Sequence, residues 1–257
     1  MGSLVKYLGT RKFRWRVLPL VRSAFELCGR SWNDFYAWML NFQDRQLSLD
    51  QILSRPDNPS IGRGLWDWAR GKYYYEFLSQ CGVSPSDTLL DYGCGYGRVA
   101  IPVLRGQGPD GNFIGLEISE RRLELAREWI AREGLESKSH ELILSKDNSM
   151  PFVASSSVDV VWVLSVFNHM PDAELDTCLE AMHRVLKPGG KLFCYYLTDE
   201  PGSEHTIKTF MRSDEYMAER LRRYGFSTRM RDDFDADLGS RRTPGSRMVL
   251  ATRHVTE

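Results

Sequence analysis

The sequence lacks three features that would mark a specialised class of protein. Lysine plus arginine and aspartate plus glutamate number 34 each, so the formal net charge is zero, which argues against a protein built mainly to hold nucleic acid. The longest apolar stretch, around Val158–Phe167, is too short to span a bilayer and contains Asp159. No secretory signal is visible near the start, because basic side chains interrupt any apolar run there.

Cysteine is also sparse and unpaired. The five cysteines are scattered and form no C-x-x-C pair, so the sequence encodes neither a disulfide framework nor a zinc site, and we expect no bound metal. This usage is typical of the reducing cytosol, which predicts a cytoplasmic protein. The hydrophobic share of 42% and the charged share of 26% predict an ordinary folded chain.

The chain changes character near residue 60. Residues 13–30 and 31–47 have the pattern of two apolar, aromatic-rich helices, and Arg55–Ser60 contains two prolines and two Asx residues, which is typical of a turn or linker. We therefore divide the chain into a helical N-terminal extension, residues 1–60, and a second domain, residues 61–257.

The second domain alternates strands with helices. Five strands are predicted at Thr88–Tyr92, Asn112–Glu117, Glu141–Lys146, Val158–Leu164 and Lys191–Leu197. Such alternation predicts an α/β fold with a mainly parallel, Rossmann-like, doubly wound sheet. Two further strands, Phe226–Arg231 and Arg247–Arg253, follow a helix at Ser213–Tyr224 with no helix between them. The prediction is thus a seven-stranded sheet with an antiparallel C-terminal strand.

The most informative segment is Leu89–Gly97, where a strand enters a loop with glycine at positions 93, 95 and 97. Glycines let the backbone turn sharply and approach a ligand closely. Arg98 occupies the position at which the dinucleotide motif G-x-G-x-x-G requires its last glycine, and Asp91 adds a negative charge, so a pyrophosphate fits poorly. Glu117 ends the second strand, where a carboxylate can accept both hydroxyls of a ribose. These residues favour a ligand with a positive charge and an unphosphorylated ribose.

Leu89–Gly97 resembles the first motif of the class I S-adenosylmethionine (SAM)-dependent methyltransferases, acid-x-G-x-G-x-G. Later segments resemble the same family in order: Phe113–Glu117, Asp147–Phe152, Val158–Leu164, Val185–Leu192 and Leu221–Phe226. The resemblance covers roughly residues 73–253 and is closest to the small-molecule type of this family. It implies SAM as cofactor, S-adenosylhomocysteine as its product, and a methyl group transferred by in-line displacement.

The resemblance also implies individual cofactor contacts. It assigns the methionine part to Asp91, Gly93, Cys94, Gly95 and Gly97, the ribose to Glu117 and Ile118, and the adenine to Asp147 and Asn148. Leu164 and Ser165 would line the sulfonium, and Tyr73 would contact the cofactor carboxylate. His169 follows the fourth strand and is the candidate general base, although a similar His-x-Pro-Asp stretch also serves as helix-start architecture in relatives.

The N-terminal extension leaves two alternatives open. Its many tryptophans either shape a lid over an apolar acceptor or only pack helices onto the sheet. Its first 30 residues carry seven basic side chains against one acid, which predicts either contact with an anionic membrane surface or an ordinary solvated helix face. We expect a small organic acceptor, methylated on oxygen or nitrogen. The alternatives are a cofactor-binding subunit without catalysis and a membrane-peripheral lipid or protein methyltransferase.

Overall fold

A seven-stranded sheet with helices on both faces forms the centre of the protein. The computed structural model describes residues 17–54, 68–198, 209–234 and 245–255. The helices are α1 (Leu18–Leu27), α2 (Trp32–Asp44), α3 (Leu49–Ser54), α4 (Trp68–Gln80), α5 (Ala100–Gly106), α6 (Glu120–Arg132), α7 (Asp172–Val185) and α8 (Asp214–Arg223). The strands are β1 (Thr88–Tyr92), β2 (Asn112–Glu117), β3 (His140–Leu144), β4 (Val158–Val163), β5 (Leu186–Leu197), β6 (Phe226–Met230) and β7 (Ser246–Arg253).

The strand order is β3-β2-β1-β4-β5-β7-β6. The pairs among β1 to β5 are all parallel, whereas β7 pairs antiparallel with both β5 and β6. The predicted Rossmann-like sheet with an antiparallel C-terminal strand is therefore confirmed.

Apolar side chains cover both faces of this sheet. On one face α4, α5 and α6 pack over Leu89, Phe113 and Trp162, and on the other α7 and α8 pack over residues such as Leu90 and Val161. Strand β4 is buried almost throughout, as a central parallel strand between two helical layers should be. Serine caps the start of two helices: Ser119 precedes α6, Ser213 precedes α8, and each accepts a hydrogen bond from a first-turn amide.

The turn before β5 differs from the prediction. We predicted that the helix would run to Leu186 and that the strand would begin at Lys191, but α7 ends at Val185 and β5 already begins at Leu186. The residues between form an irregularity in the strand, since the register with β4 shifts between Val158 and Val160. Gly189 has a φ of +77°, which explains the need for glycine there.

Within the N-terminal extension, α1 and α2 form a small apolar core of their own. Leu18, Phe35, Met39 and Leu40 are buried in it, and Ile118 from the end of β2 packs against it. A capping box between Ser31 and Asp34 starts α2. The proposed boundary at residues 60 and 61 lies outside the described residues, so it stays a prediction.

The helices of the described residues include none that is long and apolar enough to cross a membrane. Residues 1–16, which carry most of the basic side chains of the predicted membrane-facing stretch, lie outside the described residues. In its described part, α1 leaves Leu20 70% and Leu27 89% exposed. Contact with a membrane surface stays a prediction.

Candidate cofactor and methyl-transfer site

The predicted cofactor residues meet at the carboxyl ends of neighbouring strands. In the parallel register Asp91 lies opposite Gly115, and Glu117 lies opposite Leu144. From β1 the chain proceeds to β2 on one side, whereas β4 lies on the other side, so the direction of strand order reverses at β1. Open α/β sheets bind their ligands in the crevice at such a point.

The glycine loop after β1 follows a left-handed path. Gly93, Gly95 and Gly97 have φ values of +84°, +55° and +88°. A Cβ at Gly93 would lie 2.4 Å from a methyl carbon of Val166, and a Cβ at Gly97 would lie 3.3 Å from that of Ala126. At Gly95, by contrast, a Cβ would meet nothing within 4 Å. Two of the glycines therefore permit close packing of the protein, and the third faces open space that a ligand can fill.

Glu117 is a buried carboxylate, 5% exposed, that backbone amides hold in place. Its Oε2 accepts a hydrogen bond from Gly95 N–H at 2.9 Å, and its Oε1 accepts from Ile118 N–H and Ser119 N–H, both at 2.9 Å. Amide donors of this kind fix the direction in which the carboxylate points. The predicted ribose acid is thus preorganised next to the open face of the glycine loop.

Asp91 is the second acid of this site and is 3% exposed. Burial raises the pKa of its carboxyl to about 8, the positive charge of Arg98 opposes this shift, and the negative charge of Glu117 adds to it. Arg98 in turn lies close to the ring of Tyr74. Burial thus favours the neutral form of this carboxyl group, whereas a cationic ligand would favour its charged form.

Two predicted contacts adjoin this region less directly. The thiol of Cys94 is buried against the sheet, since a Cβ at Gly115 would lie 3.0 Å from its sulfur, so only the backbone of Cys94 belongs to the loop surface. Tyr73 is half-buried and packs against Tyr74 and Phe234. A cofactor contact by Tyr73 stays a prediction.

The loop after β3 has one exposed and one buried polar residue. Asp147 is exposed and accepts from the amide and the hydroxyl of Ser149, which forms a local turn and lowers the pKa of the Asp147 carboxyl. Asn148 is buried, and its Oδ1 accepts from the Tyr92 hydroxyl at 2.6 Å while its amide donates to Glu174. The side chain of Asn148 thus ties this loop to β1 and α7, and the adenine contacts stay predictions.

The loop after β4 passes close to the glycine loop. Leu164 is half-buried, and Ser165 is exposed with a φ of +58°. A short 3-10 turn, Phe167–His169, follows, in which the Asn168 amide lies 3.2 Å from Nε2 of His169. His169 itself is half-buried. The turn therefore fixes the candidate base immediately before α7 begins.

Helix α2 lies across both of these loops. The indole of Trp32 donates to the backbone oxygen of His169 at 3.0 Å, and the ring of Tyr36 stacks on the imidazole with centroids 5.4 Å apart. The amide of Asn33 donates to the backbone oxygen of Lys146 at 2.7 Å. The N-terminal extension thus contacts the loops after β3 and β4.

The end of α2 is attached to the glycine loop and α6 by a buried charge. Asp44 is 0% exposed, and its Oδ2 accepts from the Tyr96 hydroxyl and from Nε of Arg122, both at 2.8 Å. Three residues earlier, Oδ1 of Asn41 accepts from the Ser119 hydroxyl at 2.7 Å. These contacts place α2 over the ends of β1 and β2, next to Glu117.

The residues of α2 that build this contact belong to no recognisable sequence motif. The tryptophans indicate a possible lid, but no pattern in the sequence singles out Asn33, Tyr36, Asn41 or Asp44. The signal that could have found them is the set of polar residues along an otherwise apolar, aromatic helix. A helix that only packs onto the sheet would not need polar residues there.

Among the described residues, no three His, Cys, Asp or Glu side chains are grouped so that they could hold a metal ion.

Comparisons with known proteins agree on the type of domain. Residues 89–190 match a family model described as a methyltransferase domain. A demethylmenaquinone methyltransferase of Symbiobacterium thermophilum is 32% identical over 56% of this chain and 55% of that protein. Methyltransferase GfsG of Streptomyces halstedii is 36% identical over 43% of this chain and 37% of that protein. The chain thus spans about half the length of the curated relatives that it matches.

Solved structures agree on the fold. Magnesium protoporphyrin IX methyltransferase of Synechocystis with bound SAM has a TM-score of 0.60 at 18% identity, covering 92% of this chain and 96% of that one. The [4+2]-cyclase SpnF has the same TM-score at 19% identity, covering 81% of this chain and 92% of that one. The glycine loop, the two acids and the matched segment together make residues 89–190 similar to a methyltransferase domain, on a fold that solved SAM-dependent methyltransferases share.

Proposed function

We propose that this protein transfers the methyl group of SAM to an oxygen or nitrogen atom of a small organic molecule. The observation that carries the proposal is the carboxylate of Glu117, which three backbone amides hold beside the open face of Gly95. A fixed acid at the end of the second strand suits the two hydroxyls of an unphosphorylated ribose. The buried Asp91 suits a ligand that also carries an ammonium group.

We assign the parts of the cofactor along this crevice. The methionine part lies against the glycine loop and Asp91, the ribose against Glu117 and Ile118, and the adenine against the loop that contains Asp147 and Asn148. Leu164 and Ser165 then face the sulfur, which points the methyl group toward His169. Residues 1–60 act as a lid, a role that the contacts of α2 with four of these loops support.

SAM, when bound, supplies a methyl group on a positively charged sulfur, which a nucleophile displaces in line. The task of the chain is therefore to align the acceptor with that methyl group and to exclude water. Helix α2 covers the cleft and serves the second purpose. His169 takes the proton from an acceptor that is protonated at neutral pH, as a hydroxyl is.

The names of the relatives support a small acceptor but do not define it. They include demethylmenaquinone and sterol 24-C-methyltransferases, so carbon joins oxygen and nitrogen as an acceptor atom to be tested. The cyclase among the structural neighbours shows that the fold alone does not fix the reaction. The second candidate function is accordingly a subunit that binds SAM without transferring its methyl group.

One experiment distinguishes these functions. The full chain is incubated with isotopically labelled SAM and a metabolite extract, and the products are identified by mass spectrometry. We expect a labelled small molecule that does not form when the protein is omitted. Binding of SAM with no labelled product in extracts of different composition would favour the non-catalytic subunit, and no binding at all would contradict both functions.

The raised pKa of Asp91 predicts that cofactor binding releases a proton. With a pKa of about 8 the carboxyl is mostly protonated at pH 7, and a bound ammonium group stabilises the ionised form. Below pH 8 the wild-type protein should therefore release up to about one proton per SAM bound, and its affinity should rise as the pH increases from 6 to 8. Calorimetry in two buffers with different ionisation enthalpies measures this release.

Asp91→Asn is the matched control, because it keeps the shape of the side chain and cannot ionise. SAM carries an amine that also titrates, so the quantity to compare is the number of protons that each of the two proteins releases per SAM bound. Equal proton release by wild type and Asp91→Asn would contradict the role assigned to Asp91.

A further inference from the structure

Tyr36 occupies the centre of the contact between α2 and the site. Its ring stacks against Trp32, with centroids 6.2 Å apart, and against His169, with centroids 5.4 Å apart. The interplanar angles are 21° and 28°, so the tyrosine ring is nearly parallel to each of these two rings. Tyr36 is half-buried, and Ile118, the residue after Glu117, packs against the same small apolar core as Tyr36 does.

The hydroxyl of Tyr36 is the unexplained part of this arrangement. Within the described parts of the chain it makes no hydrogen bond, yet it lies in the electrostatic field of Arg122, Glu117 and Asp44. Those groups are engaged elsewhere, because Asp44 pairs with Arg122 and Glu117 accepts from three amides. The Tyr36 hydroxyl is therefore available to a ligand near the end of β2, where Ile118 and the predicted ribose acid lie.

The protonation state of Tyr36 suits a donor role. Burial, the largest influence, raises the pKa of the phenol, and the negative charges of Glu117 and Asp44 act in the same direction, whereas Arg122 opposes them. The phenol therefore stays neutral throughout the physiological range and keeps its proton for a hydrogen bond. Glu117, in contrast, can only accept.

We infer that Tyr36 is a further cofactor-contacting residue, contributed by the lid, whose hydroxyl donates a hydrogen bond to bound SAM beside Glu117 while its ring holds His169 in place. The inference rests on the proposed function, because it requires SAM in the crevice. It gives the N-terminal extension a direct part in cofactor binding. It also connects closure of α2 with the orientation of the candidate base.

Tyr36→Phe tests the hydroxyl, because it removes one oxygen and leaves the stacked ring. We expect calorimetry to give a Kd for SAM and for S-adenosylhomocysteine about tenfold above that of the wild type, the effect of one lost hydrogen bond. Tyr224→Phe is the matched control, since it deletes the same atom at the end of α8 on the far side of the sheet and should bind like the wild type.

Tyr36→Leu tests the ring. In the wild type the stacked rings shift the imidazole proton resonances of His169, which are assigned by their absence in His169→Gln. We expect these resonances to stay in place in Tyr36→Phe and to move in Tyr36→Leu, which should also bind SAM at least as weakly as Tyr36→Phe.

The outcomes separate this inference from the proposed function. If the wild type binds SAM and Tyr36→Phe binds it equally well, the cofactor contact is wrong while the proposed function stands. If the wild type binds neither SAM nor S-adenosylhomocysteine, the proposed function itself fails and the inference fails with it.

Discussion

The Asp44→Ala variant is expected to lose about 3 to 5 kcal/mol of its free energy of unfolding. Asp44 is fully buried and is the shared partner of the Tyr96 hydroxyl and the Arg122 guanidinium. Alanine would leave the Arg122 charge largely buried without its counter-ion, and that desolvated charge accounts for most of the expected loss. Urea denaturation followed by tryptophan fluorescence measures the change.

Asp50→Ala is the control for this prediction. Asp50 forms an ion pair with Arg132, but both side chains are mainly exposed, at 78% and 55%. Exposed pairs contribute about 0 to 1 kcal/mol, so this variant should unfold almost as the wild type does. Equal, small losses in both variants would show that the contact of α2 with the glycine loop is not held by a buried ion pair.

Replacing His169 with glutamine is expected to reduce turnover roughly 100-fold on a hydroxyl acceptor. Glutamine keeps hydrogen-bonding capacity beside Asn168 and fills similar space, but it cannot accept a proton from the substrate. The wild-type rate should fall on the acidic side of its pH profile as the imidazole becomes protonated, and that limb should be absent in the variant. Labelled methyl transfer to the acceptor found in the extract screen provides the assay.

His254→Gln serves as the matched control, because His254 is exposed near the end of the chain and lies outside the site. Its turnover and pH profile should equal those of the wild type. If His169→Gln also retains near-normal turnover across the pH series, His169 serves as helix-start architecture. Its role would then be limited to the 3-10 turn and to the hydrogen bond that its backbone oxygen accepts from Trp32.

The central fold was predictable because each of its signals is local. The strand before the glycines, the acid that ends β2 and the continuous apolar run of β4 lie within short segments, and the alternation with helices limits the topology. The first and last residues of the strands were less predictable. We placed the third strand at Glu141–Lys146, and β3 is His140–Leu144, because its polar, half-exposed residues give a weak pattern at both ends.

The start of β5 shows why a local rule can mislead. Lys187, Pro188 and two glycines are typical of a turn that leaves a helix, and the sequence gives no sign that the same residues continue a strand. Pairing of Leu186 with Val158 draws them into the sheet as an irregularity. Tertiary pairing outweighs the turn propensity of this segment.

The residues of the site likewise fall into two groups, those that local motifs predict and those that only the folded chain brings there. Asp91, the glycines and Glu117 share short motifs, so their proximity could be inferred from strand order. Tyr36 and Asp44 reach the site through contacts with His169 and Arg122, which are far away along the chain. No periodicity within α2 indicates which loops its polar residues will meet, and only the folded chain supplies that information.

Calorimetric titration with SAM measures whether the crevice beside Glu117 holds this cofactor, on which the proposed function depends. We expect the wild type to bind SAM. Glu117→Gln loses the charge and places an amide donor among three donating amides, so it should bind SAM at least tenfold more weakly, a difference of about 1.4 kcal/mol. Glu133→Gln, which alters an acid on the helical layer away from the crevice, should bind like the wild type. Undiminished affinity in Glu117→Gln, or a wild-type protein that does not bind SAM, would contradict the assignment of this crevice as the cofactor site.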